Sequence, residues 1–271
     1  MPRPVPRLIA FDLDGTLLPG SKRVSDYTLE VLARMVDLGA QLTLATGKFH
    51  HLTLGHGEEL GLDTPLISLD GACIGNRDHP ERKHGVPSDA AHEALELFED
   101  VATHAFCDSG DDVMLLRSSW QTFGDAMRFW ADDRRHVEAL APHVSGEPTI
   151  LTFYGEIGPM RERADHMRET HPDLRVTEYH SSLIEGHRVS IQPAVDKGTG
   201  VLETAAELGV EAEEVMVFGD WLNDLPMFRI GVVGVAMANA VPEVQEAADH
   251  VTEATCDEDG VARFLEDLFL S

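Results

Sequence analysis

The stretch Leu8-Ile9-Ala10-Phe11-Asp12-Leu13-Asp14-Gly15-Thr16-Leu17 is an apolar run that ends in two acids two positions apart. Four consecutive apolar residues read as a short, fully buried strand. Gly15 and Thr16 then break it. Unpaired buried charge is costly, so two carboxylates at the end of such a strand call for a neutralising cation. The segment points to a metal-assisted reaction in which a carboxylate takes part.

Outward from this strand, the first 75 or so residues alternate strand and helix. Ser25 or Asp26 caps a helix with Leu29, Leu32 and Val36 on one face, and Gly39 stops it. Strands are expected at Gln41 to Ala45, ending in Thr46-Gly47, and at Leu66 to Leu69, ending in Asp70-Gly71. The βαβαβ order implies a parallel sheet with helices on both faces. The rhythm returns late in the chain. A helical stripe runs through Val201, Leu202, Ala205 and Leu208. Val215 to Phe218 then reads as a strand ending in Gly219-Asp220. A strand at Val232 to Ala236 and a closing helix at Val261 to Leu268 follow.

Residues 77–192 have a different pattern. Helices are predicted at Ser88 to His104 and Pro159 to His171. Strands are predicted at Val113 to Leu116, Ile150 to Tyr154, Arg175 to Tyr179 and His187 to Gln192. The expected architecture is α/β, with a Rossmann-like parallel sheet core built from residues 1–76 and 193–271. An α+β domain, residues 77–192, is inserted into it.

Composition narrows the function. The chain has 271 residues and is 43% hydrophobic, which fits a globular protein with a sizeable core. Its net charge of -27 disfavours nucleic acid as a partner, since phosphate backbones attract basic surfaces. Only four lysines are present, Lys22, Lys48, Lys83 and Lys197, so a lysine in a motif stands out. No apolar run approaches the roughly 20 residues that span a bilayer, and a cytoplasmic protein without membrane contact is expected. The cysteines Cys73, Cys107 and Cys256 match neither a disulfide framework nor a zinc knuckle and are expected to be buried thiols. His50, His51 and His56 offer no i, i+4 pair with a third ligand nearby in sequence, and are expected on the surface.

Four strands of the parallel sheet end in polar residues: Asp12, Thr46, Asp70 and Asp220. Open α/β sheets bind ligands outside the carboxyl ends of their strands, so these distant groups are expected to converge. FDLDGTL (Phe11 to Leu17), ATGK (Ala45 to Lys48), Lys197 in DKGTG and GDWLND (Gly219 to Asp224) occur in that order. Together they resemble the four motifs of the haloacid dehalogenase-like (HAD) phosphohydrolases. The tail VGVAMANAVPEVQEAADHVT (Val233 to Thr252) and the following DEDGVARFLE are similar to the end of that superfamily's Cof-type branch. This branch carries a large α/β cap between its second and third motifs, where the insertion falls.

The resemblance implies a Mg²⁺-dependent phosphatase of small phosphorylated metabolites, with sugar phosphates expected, working as a monomer or homodimer. Asp12 would be the nucleophile that forms an aspartyl-phosphate. Asp12, the main-chain carbonyl of Asp14 and Asp220 would hold the metal, an all-oxygen set suited to Mg²⁺. Asp14 would also act as general acid and then base. Thr46, Gly47, Lys197 and Asn223 would bind the phosphoryl oxygens, and Asp224 would orient Lys197 or ligate the metal. Substrate choice would rest with the cap, where Arg117, Tyr154, Tyr179, His180 and Arg188 are candidate contacts. Lys48, Asp70 and Trp221 depart from the pattern, which commonly has arginine, asparagine and a small or polar residue there. Two alternatives are a phosphomutase sharing the covalent intermediate, and a regulatory relative that binds without turnover.

Overall fold

A computed structural model describes residues 4–20, 23–108, 114–117, 134–181 and 186–270. The chain divides into two compact units, Met1–Arg82 with Asp196–Ser271, and Lys83–Val195. Both division points fall a few residues C-terminal of those expected from sequence.

The first unit is built on a five-stranded sheet. Its order is His250–Val251, Val233–Ala236, Val215–Gly219, Leu8–Phe11, Gln41–Leu44. Every neighbouring pair is parallel. Along Leu8–Phe11 the side chains alternate between two cores, as strand geometry requires. Ile9 and Phe11 enter one with Val31, Leu32 and Met35 of the helix Asp26–Asp37. Leu8 and Ala10 enter the other with Val201 and Ala205 of the helix Lys197–Glu207. Helices therefore cover both faces. Burying an aliphatic side chain of this size contributes about 1.5–3 kcal/mol, so the two cores dominate this unit's stability.

Three expectations change here. The first helix does begin at Ser25, whose Oγ accepts from Thr28 N at 3.0 Å. Its buried face, however, is Thr28, Val31, Leu32 and Met35, while Val36 is 50% exposed. The i, i+3, i+4, i+7 row that contains Met35 is the one that meets the sheet. The helix at Lys197–Glu207 likewise leaves Leu202 exposed and buries Thr204. Thirdly, among the described residues the strand Leu66–Ser68 pairs with the main sheet through the single parallel bridge Ala45↔Ile67 and forms no longer ladder with it. It pairs antiparallel with Cys73–Gly75 instead. Leu69, Asp70 and Gly71 all have positive φ (51°, 54° and 101°), so the chain reverses at once. Such left-handed geometry is costly for Leu and Asp.

The second unit holds a six-stranded sheet. The order is Leu174–Ser181, Gly186–Pro193, Leu151–Gly155, Ala102–Asp108, Met114–Arg117, Arg134–His136. All pairs are antiparallel except the last. The helices Ser88–Phe98 and Ile157–Thr170 pack Ala90, Ala94, Phe98, Met160, Ala164 and Met167 against Phe153, Val189 and Ile191. Phe98 stacks on Phe153 with ring centroids 4.3 Å apart. The first of these helices ends six residues before His104, which lies in a strand. Beyond Glu99-Asp100 the sequence alternates, and Ala105 and Cys107 turn to the core. No helix among the described residues is long and apolar enough to cross a membrane.

Candidate active site

Register fixes the site. Phe11 stands opposite Phe218 on one side and Leu44 on the other. The three strands thus end level, and Asp12, Asp220 and Thr46 follow them at the same edge. Asp12 N continues the ladder by donating to Phe218 O at 2.9 Å.

At the centre lies Lys197, with 0% exposure. Its Nζ donates to Asp12 Oδ1 at 2.6 Å and to Asp224 Oδ1 at 2.5 Å. The lysine opens its helix, where the macrodipole disfavours a cation, so the two carboxylates must hold the charge there. Asp196 caps the same helix by accepting from Thr199 N at 2.8 Å. The other oxygen of Asp224 accepts from the amides of Asp220 and Trp221, at 2.8 and 2.9 Å. One buried carboxylate therefore fixes both the lysine and the turn that carries Asp220. Thr16 Oγ1 donates to Asp220 Oδ1 at 2.8 Å. Gly15 makes this close packing possible. Its φ is +84°, and a Cβ there would lie 2.5 Å from Asp220 Oδ2.

Burial dominates the electrostatics. It pushes the Asp12 carboxyl up to about 7; Lys197 opposes the rise, and Asp224 and Asp220 add to it. Burial also pushes Asp220 up to about 6, opposed by the Thr16 hydrogen bond and reinforced by Asp224. For Lys197, burial acts downward, but Asp12 and Asp224 outweigh it and the net direction is up. Asp12, Asp220 and Asp224 offer oxygens that lie within 4.8 Å of one another. Three ionised acids against one lysine leave two negative charges, which one divalent cation would neutralise. All three donors are hard oxygens, so the residues fit an alkaline-earth ion better than a soft metal.

A second cluster adjoins the first. Asp70 N donates to Thr46 O at 3.0 Å, and Asn223 Nδ2 donates to Asp70 Oδ1 at 2.9 Å. A Cβ on Gly47 would stand 3.0 Å from Asp70 Oδ1. Thr46, Gly47, Asp70 and Asn223 thus form one contact group, and Asp70 also adds to the upward pull on Lys197. Asp14 stands apart from both clusters. Its side chain is 64% exposed and is paired with the Lys48 ammonium. Trp221 is 58% exposed and does not pack in the core.

Sequence reasoning gave Thr16 only a part in ending the strand and no part in the site, although it lies within the same motif four residues after Asp12. The Lys48–Asp14 pair was also missed, and its only signal was Lys48's departure from the common arginine. In the inserted unit, Arg117 pairs with Glu99 at 3.1 Å and so ties its strand to the end of the helix Ser88–Phe98. Arg188 lies across from both Tyr154 and Tyr179, with its guanidinium 5.0 Å from the Tyr179 ring centroid. His180 is exposed.

Comparison with known proteins agrees with this geometry. A profile of the haloacid dehalogenase-like hydrolases matches residues 9–265. The 5-amino-6-(5-phospho-D-ribitylamino)uracil phosphatase YitU of Bacillus subtilis (strain 168) is 30% identical over 285 residues, spanning 97% of this chain and 98% of its own. The HMP-PP phosphatase of Enterobacter sp. (strain 638) is 30% identical over 277 residues, spanning 96% of this chain and 94% of its own. The crystal structure of TM0651 from Thermotoga maritima aligns with a TM-score of 0.82 at 26% identity, covering 96% of this chain and 97% of that one. The chain belongs to the haloacid dehalogenase-like hydrolases. It is a phosphatase of that family, a phosphoric monoester hydrolase.

Proposed function

We propose that the protein is a Mg²⁺-dependent phosphatase of small phosphorylated metabolites, sugar phosphates foremost, that works through an aspartyl-phosphate on Asp12. The observation that carries this reading is the buried Asp12 carboxylate, held at 2.6 Å by Lys197 beside Asp220 and Asp224. Both 30%-identical relatives named above are phosphatases of small phosphorylated metabolites, which supports the substrate class. One of those substrates carries its phosphate on a ribityl chain.

Asp12, Asp220 and the main-chain carbonyl of Asp14 would hold Mg²⁺, with Asp224 behind them. The bound ion would supply charge that lets a carboxylate approach a phosphate dianion. Lys197 orients the Asp12 carboxylate and adds a fixed cation for the phosphoryl oxygens. Thr46, Gly47 and Asn223 complete that cradle. An Asp12 oxygen forms a bond to phosphorus as the ester P–O bond breaks, and Asp14 gives its proton to the departing oxygen. Asp14 then takes a proton from water as the water attacks phosphorus. Inorganic phosphate leaves and Asp12 is regenerated. The exposure of Asp14 suits a group that must exchange protons with solvent.

A panel of phosphorylated metabolites and an aryl phosphate, assayed with Mg²⁺, tests the reading. Free phosphate should be released, a chelator should stop the release, and Asp12→Asn should lower turnover by roughly a thousandfold or more. An Asp12→Asn protein with undiminished turnover of the aryl phosphate would remove the nucleophile assignment. Isomerised product without free phosphate would identify a phosphomutase instead.

A further inference from the structure

Outside the aspartate cluster, three side chains from separate segments meet. His50 opens the helix His50–Glu59, Cys73 opens the strand Cys73–Gly75, and Glu81 precedes Arg82. A ring nitrogen, the thiol sulfur and a carboxylate oxygen lie within 4.8 Å of one another. We propose that His50, Cys73 and Glu81 form a second metal site, suited to a borderline transition-metal ion such as Zn²⁺.

Hydrogen bonding orients the donors. Ser68 Oγ donates its proton to the Cys73 carbonyl at 3.0 Å. Toward His50 Nδ1, 2.8 Å away, the same hydroxyl oxygen is therefore the acceptor. This places the ring proton on Nδ1 and, in the neutral ring, leaves the lone pair on Nε2. Nε2 faces Glu81 Oε1 at 3.4 Å. A lone pair opposite a carboxylate is balanced either by a proton shared between them or by a metal ion. A metal-bound histidine usually donates its other ring N–H to an acceptor that fixes the tautomer, and the Ser68 hydroxyl oxygen stands in that position here. Cys73 is 1% exposed and contributes a soft donor that the aspartate cluster lacks.

The nitrogen, sulfur and oxygen set selects different ions from the all-oxygen cluster. Bonds of about 2.0–2.3 Å would require the three atoms to close in slightly. The Glu81 side chain is 37% exposed, so a change of its rotamer can bring the carboxylate closer. Binding would release the Cys73 thiol proton to solvent. It would also tie the start of the His50 helix, two residues beyond Lys48, to the hairpin that carries Asp70. Occupancy of the second site would thus brace the two loops that hold Thr46 and Asp70.

Co²⁺ titrated into the full-length, metal-free protein in saturating Mg²⁺ tests the site, because Mg²⁺ competes for the aspartate cluster alone. One equivalent should bind with a thiolate-to-cobalt charge-transfer absorption, and Zn²⁺ should displace it. Cys73→Ser should abolish the absorption, and Glu81→Gln should weaken Co²⁺ binding about tenfold to a hundredfold. Glu81→Gln keeps the test decisive if Cys73→Ser does not fold, since Glu81 is partly exposed. Three results would overturn the proposal: no charge-transfer absorption, absorption that persists in Cys73→Ser, or Co²⁺ affinity unchanged by Glu81→Gln.

Discussion

The buried aspartates of the candidate site and two glutamates of the inserted unit respond to their surroundings in opposite directions. In the first unit, Asp12 and Asp220 are pushed up to about 7 and 6, with burial as the leading cause. In the inserted unit, Glu93 and Glu178 are held below the usual carboxylate range, with histidine hydrogen bonds as the leading cause. His171 and His166 act on Glu93, and His187 acts on Glu178. His187 Nε2 lies 2.6 Å from Glu178 Oε2. The inserted acids have partners that favour their charge, whereas the aspartates gather more negative charge than Lys197 balances. An acid satisfied within the fold stabilises it, and one left wanting a cation is disposed to bind a ligand.

The largest break in this contrast should come from Lys197→Met. Without the ammonium, Asp12 and Asp224 face each other uncompensated in a buried site. Removing one partner of a buried ion pair costs about 3–5 kcal/mol, which urea unfolding in the presence of a chelator would measure. Turnover should fall by on the order of 10²–10³. Stability within about 1 kcal/mol of wild type would mean that Lys197 does not offset the acids.

The pH dependence should differ in sign between the aspartate cluster and Glu178. Asp12 has a folded pKa of about 7, above its unfolded value, so ionisation opposes folding. Without divalent cations, the Asp12 contribution to stability should be lost as pH rises from about 4 toward 7. Mg²⁺ should flatten that slope. The folded pKa of Glu178 lies below its unfolded value. Its stabilisation is therefore present above about pH 4.5 and is lost as pH falls through the folded value. Glu178→Gln should weaken the inserted unit at neutral pH and make its acid loss shallower. Amide hydrogen exchange along Gly186–Pro193 and Leu8–Phe11, followed against pH, would separate the two trends. Slopes of the same sign in both strands would contradict the contrast.

The smallest effect should come from Asp70→Asn. Asparagine tolerates the left-handed φ of 54° and can still accept from Asn223. What disappears is one negative charge near Lys197. KM for phosphate esters should fall about two- to fivefold with kcat nearly unchanged, a shift of ~0.5–1 kcal/mol. An increase in KM would show that the charge of Asp70 assists binding.

The parallel core was legible because each buried strand is a short apolar run stopped by glycine or a polar residue, and register brings their ends together. Lys197 stood out as one of four lysines, and Ser25 had the chemistry of a cap. The face of the first helix was misread because Leu29, Leu32 and Val36 form a plausible stripe. The choice between neighbouring stripes depends on where the sheet lies, which periodicity does not specify. The hairpin from Leu66 to Gly75 was hidden because Leu69 and Asp70 adopt a turn conformation their side chains do not advertise. The helix from Ser88 was drawn too long because its alanine- and leucine-rich run leads into Ala102–Asp108 with only Glu99-Asp100 between. His50 was set aside as a surface residue, yet its side chain is 13% exposed. Its neighbours Cys73 and Glu81 are more than twenty residues away, beyond the reach of a spacing rule.

The position of Leu8–Phe11 in the sheet also shapes how the chain is made. Leu8 is hydrogen-bonded into register with Val215, 207 positions later. At roughly 5–20 residues per second, translation separates these partners by about 10–40 s. During that interval, an apolar strand near the start of the chain has Gln41–Leu44 on one side and an open edge on the other. The nascent chain therefore carries Asp12 well before the ribosome has produced Asp220 and Asp224, and the aspartate cluster is complete only once residue 224 has been made.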